Sequence, residues 1–156
     1  GASSFSPEGN VTVAETITMA ARIHSIYTTG SANFKQASGA HWYDVYYNYA
    51  YQNGILTASY HRDTANWPVS RAQFAEIFAK ALPASALPAK NTVNRIPDVP
   101  SSASYAGAVF TLYRAGILTG SDGNYFYPST SINRAQASAI ASRMADSDLR
   151  MSVTLK

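Results

Sequence analysis

The chain has 156 residues, of which 46% are hydrophobic and 13% charged, and it contains no cysteine. Such a chain can bury a core, but it cannot form disulfides, thiolate metal sites or cysteine nucleophiles. The net charge of +3 is scattered rather than gathered into a basic stripe, and no apolar run approaches the roughly 18 residues that span a membrane, so neither nucleic-acid binding nor membrane insertion is expected.

Three segments share a pattern that marks the start of a helix. In each, a good N-cap residue is followed three positions later by Glu or Gln, which is the capping box. The copies recur at similar intervals and predict helices over 13–28, 71–82 and 134–146. The pairs are Thr12 with Glu15, Ser70 with Gln73, and Asn133 with Gln136.

A second pattern, which ends a helix, precedes the later two copies. Gly54-Ile-Leu-Thr and Gly116-Ile-Leu-Thr each follow a Tyr by three positions. Both glycines suit the left-handed position after a helix, and the Ile-Leu pair returns to the core. Each unit therefore consists of a helix, a glycine turn, a polar loop and a capped helix, and the predicted fold class is all-α with short loop strands at most.

These motifs, in this order, resemble the repeats of the S-layer homology family. The third unit offers Ile96-Pro-Asp98-Val99, Gly116-Ile-Leu-Thr-Gly120, Phe126-Tyr-Pro128 and Ile132-Asn-Arg134-Ala-Gln136. The second offers Phe34, His41-Trp42, Gly54-Ile-Leu and Val69-Ser-Arg71-Ala-Gln73, and the first only its second half. The resemblance implies one module, with 1–30 as the second half of repeat 1, 31–90 as repeat 2, 91–150 as repeat 3 and 151–156 as a tail.

The resemblance also implies a pseudo-threefold helical spindle that anchors a larger protein, without catalysis, to the cell wall outside a bacterium. Modules like these bind secondary cell-wall polysaccharides, often through an anionic, pyruvylated sugar in a groove between repeats, and need no cofactor. Departures such as Val13 in place of Arg, and Ala58 in place of a glycine, put single grooves in doubt. The alternatives are a self-associating protein–protein module of a surface layer and an enzyme that acts on wall sugars.

The candidate ligand residues follow from the helix starts and the aromatic segment. An Arg at the first position of a helix opposes the helix dipole, so Arg71 and Arg134 indicate either an anion site beside free N–H groups or pairing with an acid of a neighbouring repeat, such as Asp98. Trp42 is assigned either to packing or to sugar stacking. The full candidate set is Arg71, Arg134, Trp42, Gln73, Gln136 and Gly120.

No catalytic or metal-binding set stands out from the sequence. The carboxylates form no obvious facing pair, the three histidines lack ligand spacing, and Asp122 lies in a glycine-rich turn without the alternating acids of a calcium loop. The incomplete first repeat predicts some uncovered apolar surface. The segment 148–155 is apolar enough to fold back as its cover; otherwise a second chain is expected there.

Overall fold

The computed structural model describes residues 8–35, 41–57, 60–120 and 122–156. Helices dominate this part of the chain, as the all-α prediction requires, and the two strands have two residues each. The strands β1 (Thr92–Val93) and β2 (Thr154–Leu155) pair in parallel. The helices are α1 (Val13–Thr29), α2 (Asp44–Gln52), α3 (Arg71–Ala79), α4 (Ala106–Arg114) and α5 (Arg134–Ala145).

All three predicted helix starts are present with complete capping boxes. The helices α1, α3 and α5 begin at the predicted residues. In α3, Gln73 N donates to Ser70 Oγ at 3.1 Å, and Ser70 N donates to Gln73 Oε1 at 3.0 Å. The end of α3 differs from the prediction: Lys80 N and Ala81 N donate three residues back, so the α-helix tightens and stops short of residue 82.

Both glycine turns have the predicted left-handed backbone. Gly54 has φ 73° after α2, and Gly116 has φ 81° after α4. In the first turn, the amides of the Ile and Leu that follow the glycine both donate to Ala50 O, at 2.9 and 3.2 Å. In the second turn the same two amides donate to Leu112 O at the same distances. The two units therefore close these helices in the same way, and the Ile-Leu pairs are buried in the core.

Backbone hydrogen bonds tie the starts of the three capped helices to one another. Each first helical amide donates to the carbonyl four residues before the start of another capped helix. The bonds run from Val13 N to Trp67 O at 2.9 Å, from Arg71 N to Thr130 O at 2.8 Å, and from Arg134 N to Gly9 O at 3.0 Å. The links form a closed cycle, and α1 also packs against α2, α3 and α5.

The C-terminal tail folds back, but onto the third unit rather than over the first. Met151 N donates to Gly116 O at 2.8 Å, and Val153 N donates to Asn91 Oδ1 at 3.0 Å. The strand pairing then buries Leu155. The prediction that the tail covers the first repeat is therefore wrong. The tail instead forms backbone hydrogen bonds with the turn at Gly116 and with β1. On α1, Ile26 and Tyr27 remain exposed.

We predict that Gly116→Ala destabilises the fold more than Gly54→Ala does. Both glycines have a left-handed backbone, in which Ala costs about 1–2 kcal/mol. A Cβ at Gly54 would meet nothing within 4 Å, whereas one at Gly116 would collide with the backbone O and N of Met151. Urea denaturation of both variants measures the difference. Equal losses would contradict the packing of the tail against this turn.

We also predict that Ser70→Ala and Asn133→Ala each lower the free energy of unfolding by roughly 1 kcal/mol, because each removes a capping acceptor. Ser142→Ala is the matched control, since it is an exposed serine inside α5 and Ala favours a helix interior. Chemical denaturation should leave the control unchanged or slightly stabilised. A similar midpoint for all three variants would mean that the caps do not stabilise the helices.

Candidate ligand-binding grooves

Three surface grooves lie beside the N-termini of α1, α3 and α5, and we name each after the first residue of that helix. The Val13 groove has a volume of about 510 Å³, the Arg71 groove about 210 Å³ and the Arg134 groove about 320 Å³. Each is therefore placed by the cycle of hydrogen bonds between the helix starts. Their side chains decide what each groove can bind.

The Val13 and Arg71 grooves are built from equivalent positions of successive units. Each combines the first residue of one helix with residues of the Gly-Ile-Leu-Thr segment of the next unit. Four positions of the next unit complete the wall: the third, sixth, seventh and tenth, counted from the start of its capped helix. These are Gln73, Glu76, Ile77 and Lys80 in the Val13 groove, and Gln136, Ala139, Ile140 and Arg143 in the Arg71 groove.

The two equivalent grooves differ in charge. The Arg71 groove has two guanidinium groups, from Arg71 and Arg143, and none of its described lining residues is acidic. In the Val13 groove the first residue of the helix is apolar, and the negative charge of Glu76 is balanced by the positive charge of Lys80. An anionic ligand is therefore favoured in the Arg71 groove and not in the Val13 groove.

Arg71 is held in place by the segment before α5. The residue is only 8% exposed, its Nε donates to Phe126 O at 2.7 Å, and its guanidinium carbon lies 5.0 Å from the centroid of the Phe126 ring. Burial lowers the pKa of Arg71, and the nearby Tyr113 and Asp98 raise it in part. Because a guanidinium stays charged in proteins, the groove keeps a fixed and partly desolvated cation.

Asp98 binds the same segment through two of its backbone amides. Its two carboxylate oxygens accept from Phe126 N and Tyr127 N, each at 2.8 Å. Tyr127 has φ 61°, a left-handed conformation that costs free energy for a residue with a side chain. Asp98 thus secures the carbonyl that positions Arg71. The expected direct pairing of the two is not among the ion pairs of the described residues, which join Arg62 with Asp44 and Arg134 with Glu15.

The backbone amides at the start of α3 are already engaged. Arg71 N donates to Thr130 O, Ala72 N to Pro128 O, and Gln73 N to the Ser70 side chain. The expectation of free N–H groups beside Arg71 is therefore wrong, because the loop of the next unit and the capping box use them. At the start of α3, an anion in this groove would therefore meet side-chain donors rather than free helix amides.

Gly120 and Gln136 complete the described wall of the Arg71 groove. A Cβ at Gly120 would lie 2.9 Å from Asn124 Cα, so this position accepts only glycine without a shift of the backbone. Gln136 is exposed, and its Oε1 accepts from Asn133 N at 3.0 Å. The side-chain NH₂ of Gln136 is thereby left as the donor that a ligand can use.

The Arg134 groove is electrically balanced. Arg134 Nη1 and Glu15 Oε2 lie 2.8 Å apart, and Glu15 Oε1 also accepts from Thr12 N at 2.9 Å. Burial tends to raise the pKa of Glu15, but the Thr12 amide and Arg134 outweigh it and hold that pKa below its ordinary value. Arg134 therefore follows the structural alternative, although its partner is Glu15 and not Asp98. Trp42, 48% exposed, lines this groove.

The predicted site residues are thus divided among three grooves. Arg71, Gly120 and Gln136 come together, Arg134 and Trp42 share a second groove, and Gln73 lies in the third. Sequence reasoning missed Arg143. A signal for it exists, because the tenth position counted from each capped helix start is basic: Arg22, Lys80 and Arg143.

Two further properties of the described ranges bear on function. None of their helices is both long and apolar enough to cross a bilayer. In the same ranges, no three side chains of the His, Cys, Asp or Glu type are grouped so that they could hold a metal ion.

Residues 95–138 match the family model of the S-layer homology domain. The matched stretch includes Asp98, α4, Gly120 and Gln136, and so it supplies one wall of the Arg71 groove. A comparison with curated proteins gave no match. Domains of this family are generally non-catalytic cell-wall anchors that bind secondary cell-wall polymers, and they imply association with a bacterial cell surface. Residues 95–138 of this chain are therefore an S-layer homology domain.

Proposed function

We propose that this chain anchors a larger protein to the cell wall, outside a bacterium, by binding an anionic wall glycan in the Arg71 groove. The observation that carries the proposal is the presence of Arg71 and Arg143 in one groove whose described lining has no carboxylate. A sugar that bears a carboxylate, such as a pyruvyl ketal, has the charge that these groups would bind. No catalytic step is part of the proposal.

The size of the groove favours a terminal sugar over an internal stretch of glycan. Its volume of about 210 Å³ is below the roughly 300–1,000 Å³ of pockets that enclose drug-sized ligands. Arg71 is buried and already oriented by Phe126, so little side-chain freedom remains to be lost on binding. Arg143, whose Nη1 donates to Ile117 O at 3.2 Å, would supply the second cationic contact.

We further infer that residues 1–30, 31–90 and 91–150 are related units around a pseudo-threefold axis, with 151–156 as a tail. The matching capping boxes, the cycle of hydrogen bonds between the helix starts and the equivalent grooves support this arrangement. In this arrangement the Arg71 groove is the cationic member of the three. Trp42 remains a candidate stacking surface in the balanced Arg134 groove.

A second candidate function is protein–protein assembly in a surface layer. The observation that favours it is an apolar depression of about 150 Å³, in which exposed Ile26 and Tyr27 of α1 lie beside Leu82 and Met144. Exposed apolar patches of this kind often mark contact with another protein. Removing the secondary polymer from purified walls separates the two functions, because an anchor then loses its binding and an assembly module does not.

We predict that Arg143→Ala weakens binding to purified cell walls by at least about tenfold, since a hydrogen bond to a charged group contributes about 1.5–3 kcal/mol. Lys80→Ala is the matched control, because Lys80 has the equivalent position in the Val13 groove. The measurement is a wall pull-down over a concentration series, with thermal unfolding to confirm that both variants are folded.

The control should bind walls as the unchanged protein does. Equal losses for Arg143→Ala and Lys80→Ala would assign the effect to general positive charge, and unchanged binding of Arg143→Ala would remove the Arg71 groove from the function. Release of soluble sugar from the walls would instead indicate an enzyme.

A further inference from the structure

The Val13 groove continues into a neighbouring depression of about 400 Å³. The two share Glu76, Lys80 and Ser104, and we call the combined surface the Glu76 trough. Trp67 lines its first part, and Thr111 of α4 lines its second part. With about 510 Å³ in its first part alone, it offers far more room than the Arg71 groove. A ligand of several linked rings would fit its shape better than a single small anion.

Trp67 provides a flat apolar face in the first part of this trough. The residue is 63% exposed, which is unusual because tryptophan is on average highly buried in folded proteins. Its backbone is fixed on both sides, because Val13 N donates to Trp67 O at 2.9 Å and Trp67 N donates to Thr64 O at 3.0 Å. An indole has only two rotatable side-chain angles, so on a fixed backbone it loses little freedom when a ligand stacks on it.

Polar groups for hydroxyl recognition lie along the same trough. Glu76 supplies two carboxylate acceptors, Gln73 an amide and Ser104 a hydroxyl. Burial, and then the charge of Glu76, raise the pKa of Tyr60 to about 12, so its phenol keeps its proton at neutral pH and can donate. Donors, acceptors and an aromatic face are the groups that a sugar ring with several hydroxyls requires.

The charges of the trough argue against an anionic ligand of the kind proposed for the Arg71 groove. Val13 stands where that groove has Arg71, and Glu76 stands where it has Ala139. Lys80 balances Glu76, so the trough has no excess positive charge. A peptide is also disfavoured. Peptides add to a strand edge or lay the apolar face of a helix into a hydrophobic groove, whereas the described walls of the trough contain no strand and include Gln73, Glu76 and Lys80.

We infer that the Glu76 trough binds a neutral oligosaccharide, with one sugar ring stacked on Trp67 and adjacent hydroxyls donating to Glu76. This site is separate from the anion site and goes beyond anchoring through a charged terminal sugar. A glycan with a charged end and a neutral chain could engage both sites, but neither site depends on the other.

The chain has two tryptophans, so an amide spectrum of the ¹⁵N-labelled protein contains two indole signals. Trp42→Phe and Trp67→Phe assign them. Chitotriose, mannotriose and maltotriose are titrated separately, and at least one is expected to shift the Trp67 signal in a saturable manner. If none of the three shifts Trp67 up to its solubility limit, the proposal is wrong.

Variants then test the two assigned contacts with the trisaccharide that binds. Trp67→Ala should weaken binding by about tenfold, and Trp67→Tyr, which keeps an aromatic ring, should retain most of it. Glu76→Gln should weaken it several-fold, because an amide has one acceptor oxygen in place of two. The matched control is Tyr125→Ala, which removes an exposed aromatic ring outside the trough and should bind as the unchanged protein does. Equal affinity of Trp67→Ala, measured by calorimetry, would overturn the stacking.

The anion site is tested apart from the trough. Arg143→Ala should bind the trisaccharide normally even if it loses cell-wall binding, so the two proposals can fail independently. Sodium glucuronate provides an anionic sugar for comparison with the neutral trisaccharides. If it shifts the Trp67 signal at lower concentrations than every neutral trisaccharide does, the trough is an anion site and the inference is overturned.

Discussion

The closed cycle of backbone hydrogen bonds among the three helix starts is the constraint on which the grooves depend. Each first helical amide is fixed to the loop that precedes another capped helix, so the first side chain of each helix must emerge between two units. Each of these bonds uses the first amide that a helix N-terminus otherwise offers to an anion. The side chain at that position therefore gains weight in the chemistry of each groove, on a backbone whose helix starts are joined in the same way.

A shared frame lets a few side chains set the chemistry of each groove. The first and sixth positions give Arg71 with Ala139 in one groove and Val13 with Glu76 in its equivalent. In the third, Arg134 is neutralised by Glu15, which is at the same time the capping residue of α1. One backbone arrangement thus yields a cationic groove, a balanced one and a polar trough, without any change in the path of the chain.

Sequence reasoning succeeded where the controlling interaction is local. A capping box joins residues three apart and a glycine turn depends on one φ angle, so both could be predicted from short motifs. It failed where the partner is distant: the Arg134–Glu15 pair spans 119 positions, and the Phe126 carbonyl that holds Arg71 is 55 positions away. The tail was misplaced for the same reason. Arg143 could have been found from the repeated basic residue, but only by comparing the helices with one another.

The burial of Arg71 argues that its role lies in the groove rather than in the helix. A buried guanidinium carries a desolvation cost, which the Phe126 carbonyl and ring offset only in part. Val13 shows that the same position can be filled by an apolar residue, 3% exposed, at the start of a capped helix with the same hydrogen bonds. The Phe126 segment does not require Arg71 either, because Asp98 already binds two of its amides. What Arg71 adds is a fixed cation in a groove without a described carboxylate, and the proposed binding of an anionic glycan rests on that feature.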